Sequence, residues 1–155
     1  MMFFPRLASV FAPIALMACA QAVSASVLEV AKTPWCGCCT AWIERMQQAG
    51  FTIKVREVED TGPVAAAAGV PANLRSCHTT MVEGYVIEGH VPAEDIRRLL
   101  AERPEAVGLV VPGMPLGSPG MEAGGRKDRF QTVLIMRDGR HKVWATHGPA
   151  PAGQE

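Results

Sequence analysis

Three of the five cysteines in this 155-residue chain fall within four positions, in Trp35-Cys36-Gly37-Cys38-Cys39, and a fourth, Cys77, is followed directly by His78. Sulfur at the start of a helix is stabilised as thiolate by the helix dipole and by unpaired backbone N–H groups, so such a cluster suits either soft-metal binding or thiol redox chemistry. Cys36 and Cys39 are three apart on one helical face and can serve one metal or one disulfide. Cys38 lies roughly 200° round a regular helix from Cys36 and is expected to point elsewhere, which leaves it a secondary ligand. Cys77 is the third ligand, against the alternative of a buried apolar thiol. His78 reads equally as a ligand, as a partner to one, or as a strand residue facing away. Met114 and Met121 stand beside glycines in a Gly/Pro segment and off any periodic face, as core fillers or as thioether donors. His147 ends the last expected strand and can close over the site. Met46, Met81 and Met136 fall on element faces and are expected in the core, and His90 and His141, at turn-like positions, are expected in solvent.

Positioning these side chains takes an alternating fold. Val27 to Lys32 reads as a strand, Thr33-Pro34 breaks it, and a helix follows from Cys36 to about Gln48 with Cys39, Trp42, Ile43 and Met46 on one face. Gly50 terminates that helix and Phe51 to Val58 is a second strand. A short helix through the alanines at 65–68 is capped by Asp60 or Thr61. Ser76 to Val82 is a loop entering a third strand, Glu83-Gly84 a tight turn, and Tyr85 to Glu88 the return strand of a hairpin. Pro92 opens a third helix carrying Ile96, Leu99 and Leu100. The order β-α-β-α-β-β-α predicts an α/β fold, a mixed sheet with helices on both faces. Residues 104–129 read as a long Gly/Pro/Met-rich loop, and Thr132–Met136 with Lys142–Thr146 form a C-terminal β-hairpin.

Fifteen basic and fifteen acidic residues cancel, and no basic run offers a track for a phosphate backbone, so nucleic acid is excluded as a partner. Residues 1–25 have the charged start, apolar middle and Val23-Ser24-Ala25 end of a signal peptide. The apolar part falls short of the roughly 20 residues of a bilayer span. Residues 26–147 then form one domain and 148–155 a flexible tail. Leu16-Met17-Ala18-Cys19 resembles a bacterial lipobox, so the alternative to a soluble exported protein is a lipoprotein anchored to the membrane through Cys19. Clustered cysteines, two of them adjacent, argue against a purely structural disulfide framework.

The strand followed by Trp35-Cys36-Gly37-x-Cys39 at a helix start resembles the thioredoxin active site, with Cys38 in place of the usual proline. Four blocks together resemble the CopG-type family of small exported bacterial copper-resistance proteins: Cys36 to Cys39, Ser76 to Thr79, Gly84 to Pro92, and Pro112 to Glu122. That resemblance implies a thioredoxin-like fold, copper as the metal and the periplasm as the place. It also favours Met114 and Met121 as ligands or as a lid over the site. Cys77-His78-Thr79 stands where thioredoxins carry a cis-proline facing the cysteine pair, which favours metal binding over dithiol exchange.

The expectation is therefore a periplasmic protein that binds copper, as Cu(I) and with room for more than one ion, in sequestration or redox handling. Its metal residues are Cys36, Cys38, Cys39, Cys77, His78, Met114, Met121 and His147. Trp35 reads as packing around the helix or, as its place in the thioredoxin resemblance implies, as a shield of the site from water; the alternatives in function are a thiol–disulfide oxidoreductase using Cys36 and Cys39 and a copper chaperone serving other periplasmic copper-handling proteins.

Overall fold

Valine-rich Val27–Lys32 (β1) forms parallel pairs with Thr52–Glu57 (β2) and antiparallel pairs with Thr79–Val82 (β3). The computed structural model describes residues 26–150; the expected signal segment, Cys19 and the last five residues lie outside the described residues. Tyr85–Glu88 (β4) returns from β3 through Glu83-Gly84, both at positive φ, the pairing that matches strand twist in a two-residue hairpin. Helices Gly37–Gln48 (α1), Gly62–Ala67 (α2) and Ala93–Glu102 (α3) occupy the expected places, so the order β-α-β-α-β-β-α holds from Val27 to Glu102.

One strand was not expected. Ala106–Val110 (β5) pairs parallel with β4 and antiparallel with Phe130–Met136 (β6), which in turn pairs with His141–His147 (β7). The C-terminal hairpin is thereby joined into one seven-stranded mixed sheet, β2-β1-β3-β4-β5-β6-β7. Gly108 hides this strand in the sequence, since glycine weakens a strand pattern. Its reason is tertiary: a Cβ there would run into the backbone of Val86 on β4.

Strand alternation sorts the core into two layers. Leu28, Val30, Ile87, Leu109 and Leu134 face Trp42, Ile43 and Met46 of α1 and Ile96 and Leu99 of α3. Their neighbours Val86, Val110 and Ile135 face the opposite way, onto Ala65 of α2 and onto Val70 and Leu74. Helices thus cover both faces, and each fully buried Leu or Ile contributes about 1.5–3 kcal/mol. Met46 is in this core and Met136 packs against it, but Met81 is exposed, a correction to its expected core place. Both cysteine-bearing segments meet at one end of the sheet, where β1 runs into α1 and the loop enters β3.

Candidate metal centre

Cys36 is the N-cap of α1 rather than its first helical residue. Its backbone is extended (φ −77°, ψ 95°) and its sulfur accepts from the Cys39 N–H at 3.3 Å. The regular-helix angle between Cys36 and Cys38 therefore does not apply. Cys38 Sγ lies 3.5 Å from Cys36 Sγ and 3.8 Å from Cys77 Sγ, so it joins the cluster instead of pointing elsewhere. Cys36 and Cys39 are disulfide-bonded, and Cys38 and Cys77 are free thiols. The expected thiolate pair is thus present here in its oxidised form.

Cys77 is held by its surroundings. The buried Glu88 carboxylate accepts from the Ser76 N–H (2.8 Å) and the Thr79 hydroxyl (2.7 Å), bracing both sides of Cys77-His78. Burial pushes the Glu88 carboxyl up, against those two hydrogen bonds. Gly89, at φ +71°, turns the chain directly after β4, and its N–H donates to the His78 carbonyl. A Cβ at this glycine would meet Ser76 and the Val111 carbonyl.

That turn delivers His90, which is fully buried rather than solvated, to 3.0 Å from Cys77 Sγ. Its Nδ1 lies 2.8 Å from the Pro119 carbonyl, which only accepts. Nδ1 therefore carries the proton, and the Nε2 lone pair faces the thiol, the arrangement by which a carbonyl orients a metal-binding imidazole. Burial lowers the His90 pKa, so the ring is neutral. The sequence did carry a signal for His90: it lies inside the matched block Gly84 to Pro92.

His78 is fully buried against Trp42, ring centroids 4.5 Å apart, with Nδ1 3.4 Å from Cys77 Sγ and Nε2 without a hydrogen-bond partner. Burial first, then the nearby His90 and Lys32, lower its pKa to about 3. Burial, then neighbouring Cys38, pushes the Cys77 thiol up to about 12, so at neutral pH it keeps its proton until a metal displaces it.

Two donor groupings result, Cys36/Cys38/Cys39/Cys77 and Cys77/His78/His90, each with its ligand atoms within 4.8 Å of one another. Sulfur and imidazole are the donors that suit copper. The residues present therefore fit the implied metal.

The Gly/Pro/Met loop is pinned against this cluster at both ends. Ser76 donates to the Gly113 carbonyl and the Gly113 N–H to the Arg75 carbonyl. Farther on, Glu122 accepts from the Gly120 N–H (2.8 Å) and pairs with Arg45 of α1 (3.0 Å). Met114, 53% exposed, thus follows the Cys77 anchor, while half-buried Met121 follows Gly120, which packs on the Cys38 and Trp42 backbone of α1.

His147 is placed elsewhere. Its Nε2 lies 2.8 Å from the Asp95 carboxylate and 3.1 Å from Thr132 Oγ1, its ring stacks on Phe130, and it lines a cavity of about 680 Å³ with Pro119 and Lys127. It belongs to neither donor grouping among the described residues, so it does not close over the cysteines. Trp35 is 74% exposed and does not shield them either.

The buried neutral His78 makes acid stability a readout of this geometry. Its folded pKa, about 3, lies below the ordinary 6.5, so between those values the unfolded chain binds the extra proton. Its contribution is complete above pH 6.5 and is lost as pH falls towards 3. Urea midpoints of the metal-free protein are expected to drop across that window, and more gently in His78→Phe; an identical drop in both would refute the assignment.

Comparison with known proteins places this geometry. The chain is similar to two solved structures described as "Copper resistance protein copG", Form 2 and Form 1, at 42% and 41% identity; each match covers 81% of this chain and 100% of the other, with a TM-score of 0.77. A family model described as "Protein of unknown function, DUF411" matches residues 74–121, the span from the Cys77 loop to Met121. No curated protein matches the chain.

Proposed function

The chain belongs to the CopG copper-resistance family, and from that premise we propose that it is a periplasmic protein that binds copper as Cu(I), in sequestration or redox handling. The observation that carries this reading is the shared position of Cys77. One thiol stands in a four-sulfur grouping and in a grouping with two imidazoles, so more than one copper ion fits across the two. Soft sulfur favours Cu(I), and imidazole accommodates either copper oxidation state. With Cys36 and Cys39 oxidised, the free donors are Cys38, Cys77, His78 and His90. Opening the disulfide consumes two electrons and two protons and frees two more sulfurs, so the soft-donor set grows as the site is reduced. Met114 and Met121 extend it from the loop. Export rests on residues 1–25.

Titration of the reduced protein with Cu(I) against a competing chelator tests the reading. Cys36→Ser with Cys39→Ser is expected to weaken binding by more than about 100-fold, beyond the loss that follows removal of a group outside the ligand shell. Unchanged affinity would sink it. The same titration on protein released by osmotic shock, with its intact mass measured, tests export and reads lipidation at Cys19.

The Cys36–Cys39 disulfide itself favours a second reading, a thiol–disulfide oxidoreductase. Metal-free reduction of insulin at a rate well above that of glutathione would support it. A copper chaperone shares every ligand with the first reading, and transfer of Cu(I) to a second protein without its appearance in bulk chelator distinguishes it.

A further inference from the structure

His147 ends β7 and takes no part in the sulfur cluster, yet its ring is held from two sides. Asp95, in the first turn of α3, is 4% exposed, and Thr132 of β6 is fully buried. The Thr132 hydroxyl donates to Asp95 Oδ2 at 2.6 Å, and His147 Nε2 stands 2.8 Å from the same oxygen. The carboxylate accepts, so Nε2 carries the ring proton and Nδ1 of the neutral imidazole keeps its lone pair. The β6–β7 register sets Phe130 opposite His147, and the two rings stack with centroids 4.8 Å apart. One nitrogen and one face of the imidazole are thereby fixed. Nδ1 is left over. It has no hydrogen-bond partner among the described residues and is not one of the buried unpartnered atoms, so it opens to the cavity of about 680 Å³ that the ring lines.

Two carboxylates share that cavity, and the chain brings both to this histidine. Glu94, exposed, directly precedes the Asp95 that holds the ring. Asp128 lies against the residue after His147: Gly148 stands at φ +83°, and a Cβ there would strike the Asp128 carbonyl. Asp128 Oδ2 is steadied by the Leu116 N–H at 3.2 Å. The opposing charges are Lys127, on the cavity wall, and Arg126, 74% exposed and 3.6 Å from Asp128 Oδ1. A solvated arginine at that distance is a weak competitor. Glu94 and Asp128, with Asp95 behind the ring, therefore outweigh Lys127, and the cavity favours a cation over an anion.

An imidazole whose far nitrogen donates to a buried carboxylate is the orienting half of a carboxylate–histidine–metal arrangement. We propose that His147 Nδ1, backed by Asp95, anchors a second metal site, for a borderline divalent cation such as Cu(II) or Zn(II), with Glu94 and Asp128 as its oxygen ligands. Imidazole and carboxylate suit those ions, whereas no sulfur lines this cavity to hold Cu(I). The three donors do not form a close grouping as they stand, so His147 binds first and the exposed Glu94 side chain rotates in, with water completing the shell. The inference is independent of the Cu(I) reading, since none of its residues belongs to either donor grouping. A histidine whose only role was to tie β7 to α3 would need Nε2 alone.

Zn(II), which undergoes no redox change, is the probe. Metal-free, ¹⁵N-labelled protein at neutral pH is taken through a series of free Zn(II) concentrations set by a chelator buffer, and the His147 ring nitrogens are followed by NMR. Zn(II) taken up by the cysteines leaves these resonances in place, so the readout belongs to this site. Nδ1 is expected to move from the position of a free lone pair to that of a metal-bound nitrogen while Nε2 keeps its proton. Asp95→Asn is expected to weaken that response about 10- to 100-fold in free Zn(II), and Glu94→Gln at least about tenfold, with circular dichroism as the check on folding. No movement of Nδ1 up to about 1 mM free Zn(II), the weak end of specific binding, overturns the proposal. So does a folded Asp95→Asn or Glu94→Gln protein with unchanged Zn(II) affinity at His147. Should Asp95→Asn not fold, Glu94→Gln, at an exposed position, decides alone. Failure of the wild-type protein to bind Cu(I) would remove the proposed function and leave this test as it stands.

Discussion

Cys77→Ser is expected to weaken Cu(I) binding more than any other single substitution, by over about 100-fold, the upper end of what removal of an outer-shell partner costs. Cys77 alone stands in both donor groupings. Serine keeps the size and replaces a soft sulfur with a hard oxygen that Cu(I) disfavours. The fold is expected to survive, because the loop is braced by Glu88 through the Ser76 N–H and the Thr79 hydroxyl rather than through the thiol. Cys38→Ser is the comparison: it removes one donor from the sulfur grouping and leaves Cys77 with His78 and His90, so its loss is expected to be smaller. Chelator competition on both variants checks the order. A loss below about tenfold at Cys77, or a larger loss at Cys38, would show that the two groupings do not act through their common sulfur.

Gly120→Ala is expected to damage the site from the far side of the loop. Gly120 sits at φ +84°, and a Cβ there would press on the Trp42 N–H and the Cys38 carbonyl of α1. Those are backbone atoms of a packed helix and cannot yield, so the loop must lift. Left-handed strain and overpacking each cost about 1–3 kcal/mol. The loss of function is expected to exceed what that destabilisation implies. Lifting residue 120 withdraws the Pro119 carbonyl that holds His90 Nδ1, releases the Arg45–Glu122 pair, and carries Met121 away from α1. Cu(I) affinity is expected to fall about 10- to 100-fold, as for loss of a partner that orients a ligand. Denaturant unfolding and chelator competition read the two effects separately. A destabilised variant that binds Cu(I) as well as wild type would mean that the loop does not organise the site.

Which features were legible in the sequence follows from their range. Strand–helix alternation, the N-terminal position of the cysteines on α1, the β3–β4 turn and the C-terminal hairpin are local, and periodicity and turn chemistry reveal them. Three misreadings were matters of distance in the chain. Ala106–Val110 fell inside the expected loop of residues 104–129, because the close approach that requires Gly108 is to Val86, on another strand. His90 looked solvated because its partners, Cys77 and Pro119, lie 13 and 29 positions away. His147 looked free to close the site, whereas the sheet register spends its Nε2 on Asp95.

The cluster chemistry, by contrast, followed from residue types alone. Several sulfurs gathered at a helix start, with a further cysteine followed directly by a histidine, point to soft metal or redox chemistry whatever the surrounding fold. Which donors converge is a tertiary matter. An extended N-cap turns Cys36 towards Cys38, and a glycine turn brings His90 back to Cys77. Ligand convergence depends on backbone direction over ångströms between segments remote in the chain, and local propensity carries no information at that range.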